Sequence, residues 1–203
     1  MKVKQFRGTI PFFLIIFISL WLFRGAFDIN FFQDDYLFLL KAGINNFSNY
    51  LSFFIPQTNV QYYRPLTVEN YYFFLHFLFG DNPFWFHLTG FIVFITTIIL
   101  VYKICLNLFQ NDKISYLFTF LWATSPIHYD SLYWIANFSY LSIIFIYLLA
   151  FKIYISKEGD RQKYWKIILF FILGLFFSEF IIGLPIILFS YSILQYLRTL
   201  TTQ

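Results

Sequence analysis

Long apolar runs with few charges constrain this chain more than any other feature of its sequence. Apolar and aromatic residues make up 60% of the 203 residues, whereas Asp, Glu, Lys and Arg together make up 12%. A soluble domain carries about twice that share of charge, and the 32 Phe and 16 Tyr offer more aromatic surface than one water-soluble core could hide. We therefore predict an all-α, polytopic membrane helix bundle, with residues 1–203 forming a single transmembrane domain.

About six helices are predicted to cross the membrane, since a crossing helix needs about 20 apolar residues. The predicted spans cover residues 8–27, 84–104, 113–127, 133–153, 165–179 and 181–198. The last two come from one apolar stretch, Ile167–Leu197, which is too long for one upright helix and contains Glu179. We interpret it as two spans with a turn near Glu179; a kinked helix or a re-entrant pair are the alternatives.

The basic residues assign the two sides of the membrane, because Lys and Arg are enriched in cytoplasmic loops. With the N-terminus in the cytoplasm, eleven of the fourteen basic residues fall inside and seven of the ten acidic residues fall outside. The net charge of +4 then reflects orientation and requires no nucleic-acid partner. The first span is expected to be an uncleaved anchor of a multi-pass cell-membrane protein, since Trp21–Phe27 lacks a small-x-small cleavage site.

Residues 28–83 form the long outer loop, which is predicted to contain short interfacial helices. Asp34 and Asp35 stand together near its start, and adjacent carboxylates beside a bilayer are costly unless they are exposed, paired or metal-bound. In a structural interpretation, Asp34 caps a helix that runs to Ala42 and ends at Gly43. The same position is compatible with catalysis, because helix N-termini present groups to ligands.

Arg64 is the next charged residue of interest in the outer loop. Pro65 keeps Arg64 extended and is expected to start a helix over residues 66–79 that lies in the membrane interface. Arg64 could hold a phosphate through its planar guanidinium, or it could extend to lipid headgroups.

Four more polar residues are predicted on the same side of the membrane. His87 begins the second span, where a lone histidine is usually structural. His128 and Asp130 lie on a tight turn and could bind a metal, hold each other's charge or simply be solvated. Glu179 is expected below the outer surface, where a carboxylate marks a functional site or a short hydrated turn.

Five short segments follow one another in a recognisable order. They are Phe32-Gln33-Asp34-Asp35-Tyr36; Tyr63-Arg64-Pro65-Leu66; Phe79-Gly80-Asp81-Asn82-Pro83 with Phe86-His87-Leu88; Ser125-Pro126-Ile127-His128-Tyr129-Asp130 with Trp134; and Ser178-Glu179 with Leu184-Pro185. In this order they resemble the C-type glycosyltransferase superfamily of membrane enzymes, closest to its O-mannosyltransferase-like branch. Two departures stand out: Ser178 replaces a lysine common in the family, and the chain is short, so it looks like an N-terminal portion.

The resemblance implies inverting transfer of a sugar from a polyprenyl-phosphate-linked donor to a protein or glycan acceptor on the outer face. Asp34 is the expected general base and Asp35 its supporting catalytic residue. The expected substrate-binding residues are Arg64, His87, His128, Asp130 and Glu179. No cofactor is firmly implied, although a divalent metal (Mg²⁺ or Mn²⁺) on Asp34 and Asp35 is compatible with the pattern. The alternative is a non-catalytic membrane subunit, or a truncated remnant, that binds a lipid-linked carrier.

Overall fold

The structure, a computed structural model, describes residues 9–43, 47–56, 62–156 and 159–201. Within these ranges the chain forms ten α-helices: α1 (Thr9–Phe23), α2 (Asp34–Ala42), α3 (Phe47–Ser52), α4 (Glu69–Phe79), α5 (Pro83–Phe109), α6 (Asp112–Ala123), α7 (Tyr129–Tyr133), α8 (Phe138–Tyr154), α9 (Asp160–Leu175) and α10 (Leu184–Thr201). Short 3-10 helices cover Arg24–Asp28, Pro126–His128, Ile135–Asn137 and Glu179–Gly183. No β-strand occurs in the described ranges, which confirms the predicted all-α class. The predicted cytoplasmic residues Lys2, Lys4, Arg7 and Lys157 lie outside the described residues, as does the start of the first predicted span.

Four segments of the described chain are long and apolar enough to cross a membrane: Ile10–Asp28, Pro83–Phe109, Ile135–Tyr154 and Glu179–Leu200. Bulky apolar side chains project outward from them; Phe17 is 64% exposed and Phe189 is 66% exposed. Such apolar surface fits contact with lipid better than contact with water. These segments indicate a membrane protein.

The other two predicted spans coincide with α6 and α9, which have 12 and 16 residues. At 1.5 Å per residue they are about 18 and 24 Å long, whereas the hydrocarbon core is about 30 Å thick. Four spans therefore satisfy the length requirement, and the six-span arrangement stays a prediction.

Helix α5 contacts α1, α6 and α8 and so occupies the centre of the bundle. Helix α1 runs antiparallel to α5: Phe12 packs near Tyr102 (ring centroids 5.2 Å apart), and Phe23 packs near Phe94 (5.8 Å). Helices α8 and α9 pack together. Between α9 and α10 the α-helix is interrupted around Glu179, as the sequence predicts.

Helices α2 and α4 pack on each other over one end of this bundle. The ring of Tyr71 in α4 stacks on Phe138 at the start of α8, with 3.9 Å between centroids. The Tyr71 hydroxyl donates a hydrogen bond to the Phe86 carbonyl near the start of α5 (2.8 Å). The segment between α1 and α5 is therefore anchored where α5 and α8 begin.

The start of α2 differs from its predicted form by one residue. The helix ends at Ala42 before Gly43, as predicted. However, Gln33 rather than Asp34 occupies the N-cap position, and the Gln33 side chain makes no capping hydrogen bond. Asp34 is the first helical residue, where its charge still favours the positive end of the helix dipole.

Helix α4 begins at Glu69, later than the predicted start at residue 66. Residues 65–68 form a turn instead. The Pro65 carbonyl accepts hydrogen bonds from both the backbone N–H and the side-chain amide of Asn70 (2.9 and 2.7 Å). This turn directs Arg64 toward the helix bundle.

Candidate functional site

The predicted site residues all lie at the end of the bundle that α2 and α4 cover. Helices α1, α6 and α9 end there, whereas α5 and α8 begin there, so antiparallel packing gathers the residues. The seven are Asp34 and Asp35 at the start of α2, Arg64 before α4, His87 in α5, His128 and Asp130 after α6, and Glu179 after α9.

The two adjacent aspartates have different environments. Asp34 is exposed, whereas Asp35 is fully buried. Asp35 Oδ1 accepts a hydrogen bond from the Tyr72 hydroxyl (2.6 Å), and Oδ2 accepts one from the Phe32 backbone N–H (3.0 Å). Burial raises the pKa of Asp35 above its ordinary value, although the hydrogen bonds oppose this shift. Asp35 thus holds the start of α2 against α4.

The divalent metal ion on Asp34 and Asp35 stays a prediction. Each Asp35 oxygen accepts one hydrogen bond from a protein donor, and a carboxylate oxygen can accept a second. The described residues contain no group of three His, Cys, Asp or Glu side chains that could hold a metal.

Arg64 and Glu179, which are far apart in sequence, form an ion pair. Arg64 Nε donates to Glu179 Oε2 (2.8 Å), and Arg64 Nη2 donates to the other carboxylate oxygen. Arg64 Nη1 donates to the hydroxyl of Ser139 in α8 (3.0 Å). The guanidinium is thus paired with a carboxylate, and its substrate-binding role stays a prediction.

Aromatic rings and backbone bonds reinforce this connection. The Arg64 guanidinium carbon lies 4.6 Å from the ring centre of Tyr62 and 5.4 Å from that of Tyr140. The Leu66 N–H donates to the Phe176 carbonyl oxygen (3.0 Å), and the Thr67 hydroxyl donates to the Phe177 carbonyl oxygen (2.6 Å). The segment around Arg64 is therefore docked onto the turn between α9 and α10.

His87 is buried between two backbone segments. Its Nδ1 lies 3.0 Å from the Leu132 carbonyl oxygen, and its Nε2 lies 3.1 Å from the Ile29 carbonyl oxygen. A neutral imidazole has one N–H and can donate to only one of these oxygens, whereas an imidazolium donates to both. In either form, His87 positions the backbone on both sides of it.

His128 and Asp130 form no ion pair in the described part of the chain, so the alternative in which they hold each other's charge does not apply. His128 is buried beside the rings of Phe94 and Trp122, and its Nε2 lies 2.8 Å from the Trp122 carbonyl oxygen. Burial lowers the pKa of His128, which favours the neutral ring with its proton on Nε2. Asp130 is exposed. His128 is therefore part of the packing, and only Asp130 faces outward.

Asp130 lines a cleft of about 600 Å³ at this end of the bundle, which we call the aromatic cleft. One wall is the segment Ile29–Gln33, which leads directly into Asp34. The opposite wall consists of Tyr129, Tyr133 and Trp134 together with Asp130. His87 contacts the backbone of both walls: Ile29 lies in the first wall, and Leu132 directly precedes Tyr133 in the second.

Four of the five rings that line the aromatic cleft are stacked in pairs. Phe32 stacks on Trp134 with 5.5 Å between centroids, and Tyr129 stacks on Tyr133 with 4.1 Å. The Trp134 indole N–H is buried and has no hydrogen-bond partner within the described part of the chain. A buried donor without a partner is uncommon in folded proteins.

Gln33 connects the aromatic cleft to Asp34 through an unusual backbone conformation. Its φ of 49° and ψ of −119° are rare for a residue other than glycine. Such conformations persist where surrounding packing enforces them, and they concentrate at functional sites.

Sequence reasoning missed several residues that build the site. Tyr129 and Tyr133 are four residues apart, a helical spacing that could have indicated a shared aromatic face. Tyr72 and Ser139 carry no such signal, since their partners Asp35 and Arg64 are distant in sequence and meet them only through folding.

No protein-family model matches the chain, and no curated protein or solved structure matches it significantly. The resemblance to C-type glycosyltransferases therefore rests on the five sequence segments alone.

Proposed function

We propose that this protein is a membrane glycosyltransferase that moves a sugar from a polyprenyl-phosphate-linked donor to a protein or glycan acceptor, with inversion. The observation that carries the proposal is the aromatic cleft next to Asp34. Its volume of about 600 Å³ falls within the range of small-molecule sites, about 300–1,000 Å³.

The lining of the aromatic cleft suits a sugar. The faces of Tyr129, Tyr133 and Trp134 offer flat apolar surface for the C–H faces of a pyranose ring, and the Asp130 carboxylate can accept hydrogen bonds from its hydroxyls. This combination of aromatic faces and few polar groups is typical of pockets that orient a ligand.

Asp34 is proposed as the general base. Its carboxylate takes the proton of the acceptor hydroxyl while the acceptor oxygen bonds to the anomeric carbon. The bond from that carbon to the phosphate oxygen breaks on the opposite face, and its electron pair leaves with the polyprenyl phosphate. Positioned proton transfer of this kind contributes about 10²–10⁴-fold in rate.

The other predicted residues are assigned positioning roles. Asp35 secures the helix start that presents Asp34, through Phe32 and Tyr72. His87 holds the two walls of the aromatic cleft by their backbone, and Asp130 contacts the sugar. The Arg64–Glu179 pair fixes the outer loop on the bundle.

The proposal includes a membrane arrangement in which α6 and α9 complete six crossings and the site faces the extracytoplasmic side. Lys103 near the end of α5, Lys113 at the start of α6 and Lys152 near the end of α8 lie toward the opposite end of the bundle. Basic residues concentrate on the cytoplasmic side. An Asp81→Cys variant without Cys105 should react with an impermeant thiol reagent on intact cells, and a Lys113→Cys variant should not.

Sugar transfer is tested with a labelled polyprenyl-phosphate sugar added to membranes that contain the protein. Asp34→Asn should lower transfer by about 10²-fold or more. Asp112→Asn is the matched control, because Asp112 is also exposed and also begins a helix, α6, at the other end of the bundle. Equal transfer by wild type and Asp34→Asn would remove Asp34 from the mechanism.

A non-catalytic subunit that binds a lipid-linked carrier is the second candidate. It is favoured by the environments of Asp35, Arg64 and His128, which all have structural partners. In that case the wild-type protein would retain the labelled donor without transferring its sugar, and Asp34→Asn would retain it equally well.

A further inference from the structure

A second cleft opens between α1 and α5, among exposed apolar side chains such as Phe17, Trp21 and Ile92. We call it the α1–α5 cleft; its volume is about 400 Å³. Phe17, Trp21 and Phe27 line it from the first span, and Phe91 and Ile92 line it from α5. Arg24 is its one charged lining residue among those described, and the rest of the lining is apolar or aromatic.

Arg24 is available to bind an anion. It is exposed, and its guanidinium lies over the ring of Trp21, 3.8 Å from the ring centre. Nη1 donates to the Trp21 carbonyl oxygen (2.7 Å). Neither ion pair found among the described residues includes Arg24. Because a guanidinium has five N–H donors in a planar fork that matches phosphate, donors remain for a lipid phosphate.

We infer that the α1–α5 cleft holds the polyprenyl-phosphate carrier, with the phosphate on Arg24 and the first part of the prenyl chain between α1 and α5. This inference rests on the proposed function. Charge complementarity selects this cleft over another apolar cleft, of about 610 Å³, between α8 and the turn before α10. The charged residue that lines that other apolar cleft is Glu179, whose negative charge repels a phosphate. The cation near it, Arg64, is already paired with Glu179.

The α1–α5 cleft lies next to the aromatic cleft. The 3-10 helix Arg24–Asp28 runs between them: Phe27 lines the first cleft and Ile29 lines the second. At Gly25, an added Cβ would lie 3.0 Å from the hydroxyl of Tyr133, which lines the aromatic cleft. A carrier phosphate on Arg24 therefore holds its sugar on the side of the aromatic cleft.

The test measures binding of a sugar-free polyprenyl monophosphate to the purified protein in phosphatidylcholine nanodiscs. Arg24→Gln should weaken binding about 10-fold or more, because it removes a charge-assisted contact, and Arg24→Lys should restore part of it. Lys41→Gln is the matched control, since Lys41 is an exposed cation at the same end. Ile92→Trp should weaken binding independently of charge by filling the α1–α5 cleft.

Three results would overturn the inference: unchanged binding by Arg24→Gln, equal binding of the uncharged polyprenol, or equal competition by phosphatidylglycerol. The last would assign the α1–α5 cleft to anionic phospholipids in general. The sugar-transfer assay separates this inference from the proposed function. If binding depends on Arg24 but no sugar is transferred, only the proposed function is refuted. If transfer depends on Asp34 but binding does not depend on Arg24, only the inference about the α1–α5 cleft is refuted.

Discussion

Replacing Glu179 with leucine tests how the Arg64–Glu179 pair holds the outer loop on the bundle. The Arg64 side chain is 8% exposed and the Glu179 side chain is 44% exposed. Removing one partner of a fully buried pair costs about 3–5 kcal/mol, because a buried charge loses its counter-charge. Since water reaches the Glu179 side, we expect Glu179→Leu to lower the free energy of unfolding by about 2–3 kcal/mol.

The opposite replacement, Arg64→Met, should be less costly. It leaves a carboxylate that water can hydrate, and methionine retains much of the apolar packing, so we expect a loss of about 1 kcal/mol. The double variant should resemble Arg64→Met alone. The difference between the double variant and the sum of the single variants should then be about 2–3 kcal/mol of coupling.

Thermal unfolding in detergent, combined with protease cleavage of the outer loop, measures these effects. For a chain of this length, about 1 kcal/mol corresponds to about 2–4 °C in Tm, so Glu179→Leu should lower Tm by about 4–12 °C. Asp81→Asn serves as the control, because the His76–Asp81 pair is exposed and its loss should cost less than about 1 kcal/mol. Additive effects of the single variants, or a larger loss for Arg64→Met than for Glu179→Leu, would refute this reasoning.

Three further predictions concern packing, pH and backbone strain. Gly174→Ala should destabilise the protein by about 1–3 kcal/mol in thermal unfolding, since the new Cβ would lie 2.5 Å from Ile181 Cγ1. Gly90→Ala is the control: its Cβ meets open space, so it should not destabilise the protein. Burial raises the pKa of Asp35, so the folded state binds more protons than the unfolded state just above pH 4. Stability should therefore fall as pH rises from about 4 through the raised pKa. Asp35→Asn should flatten that part of the stability–pH curve. Gln33→Gly should raise the unfolding free energy in denaturant titration by up to about 1 kcal/mol, since glycine adopts a φ of 49° without strain.

Each of these has an outcome that would contradict it. Equal Tm values for Gly174→Ala and Gly90→Ala would show that the Ile181 contact relaxes without cost. A stability–pH curve of the same slope with and without Asp35 would remove that carboxyl from the pH dependence. A destabilising Gln33→Gly would show that the glutamine side chain contributes more than its backbone strain removes.

Local features of the sequence predicted much of the helical framework. Apolar runs located the helices, Gly43 marked the end of α2, and Pro83 marked the start of α5, where Asn82 Oδ1 accepts the Phe84 N–H. The interruption at Glu179 was also predicted. These features depend on a few neighbouring residues, so they can be read from short stretches of chain. The late start of α4 could not be predicted in this way, because Leu66 and Thr67, just before the helix, are hydrogen-bonded to the backbone of residues 176 and 177.

The sequence alone determined that the chain is apolar enough for a membrane, and it predicted that seven of the ten acidic residues share one side. Only the tertiary structure decided what each of them contacts. Two neighbouring aspartates became one exposed and one buried carboxylate, and Arg64 acquired a partner far along the chain. The physical reason is that burial and ion pairing depend on which helices pack together, and no local pattern in the sequence specifies that packing.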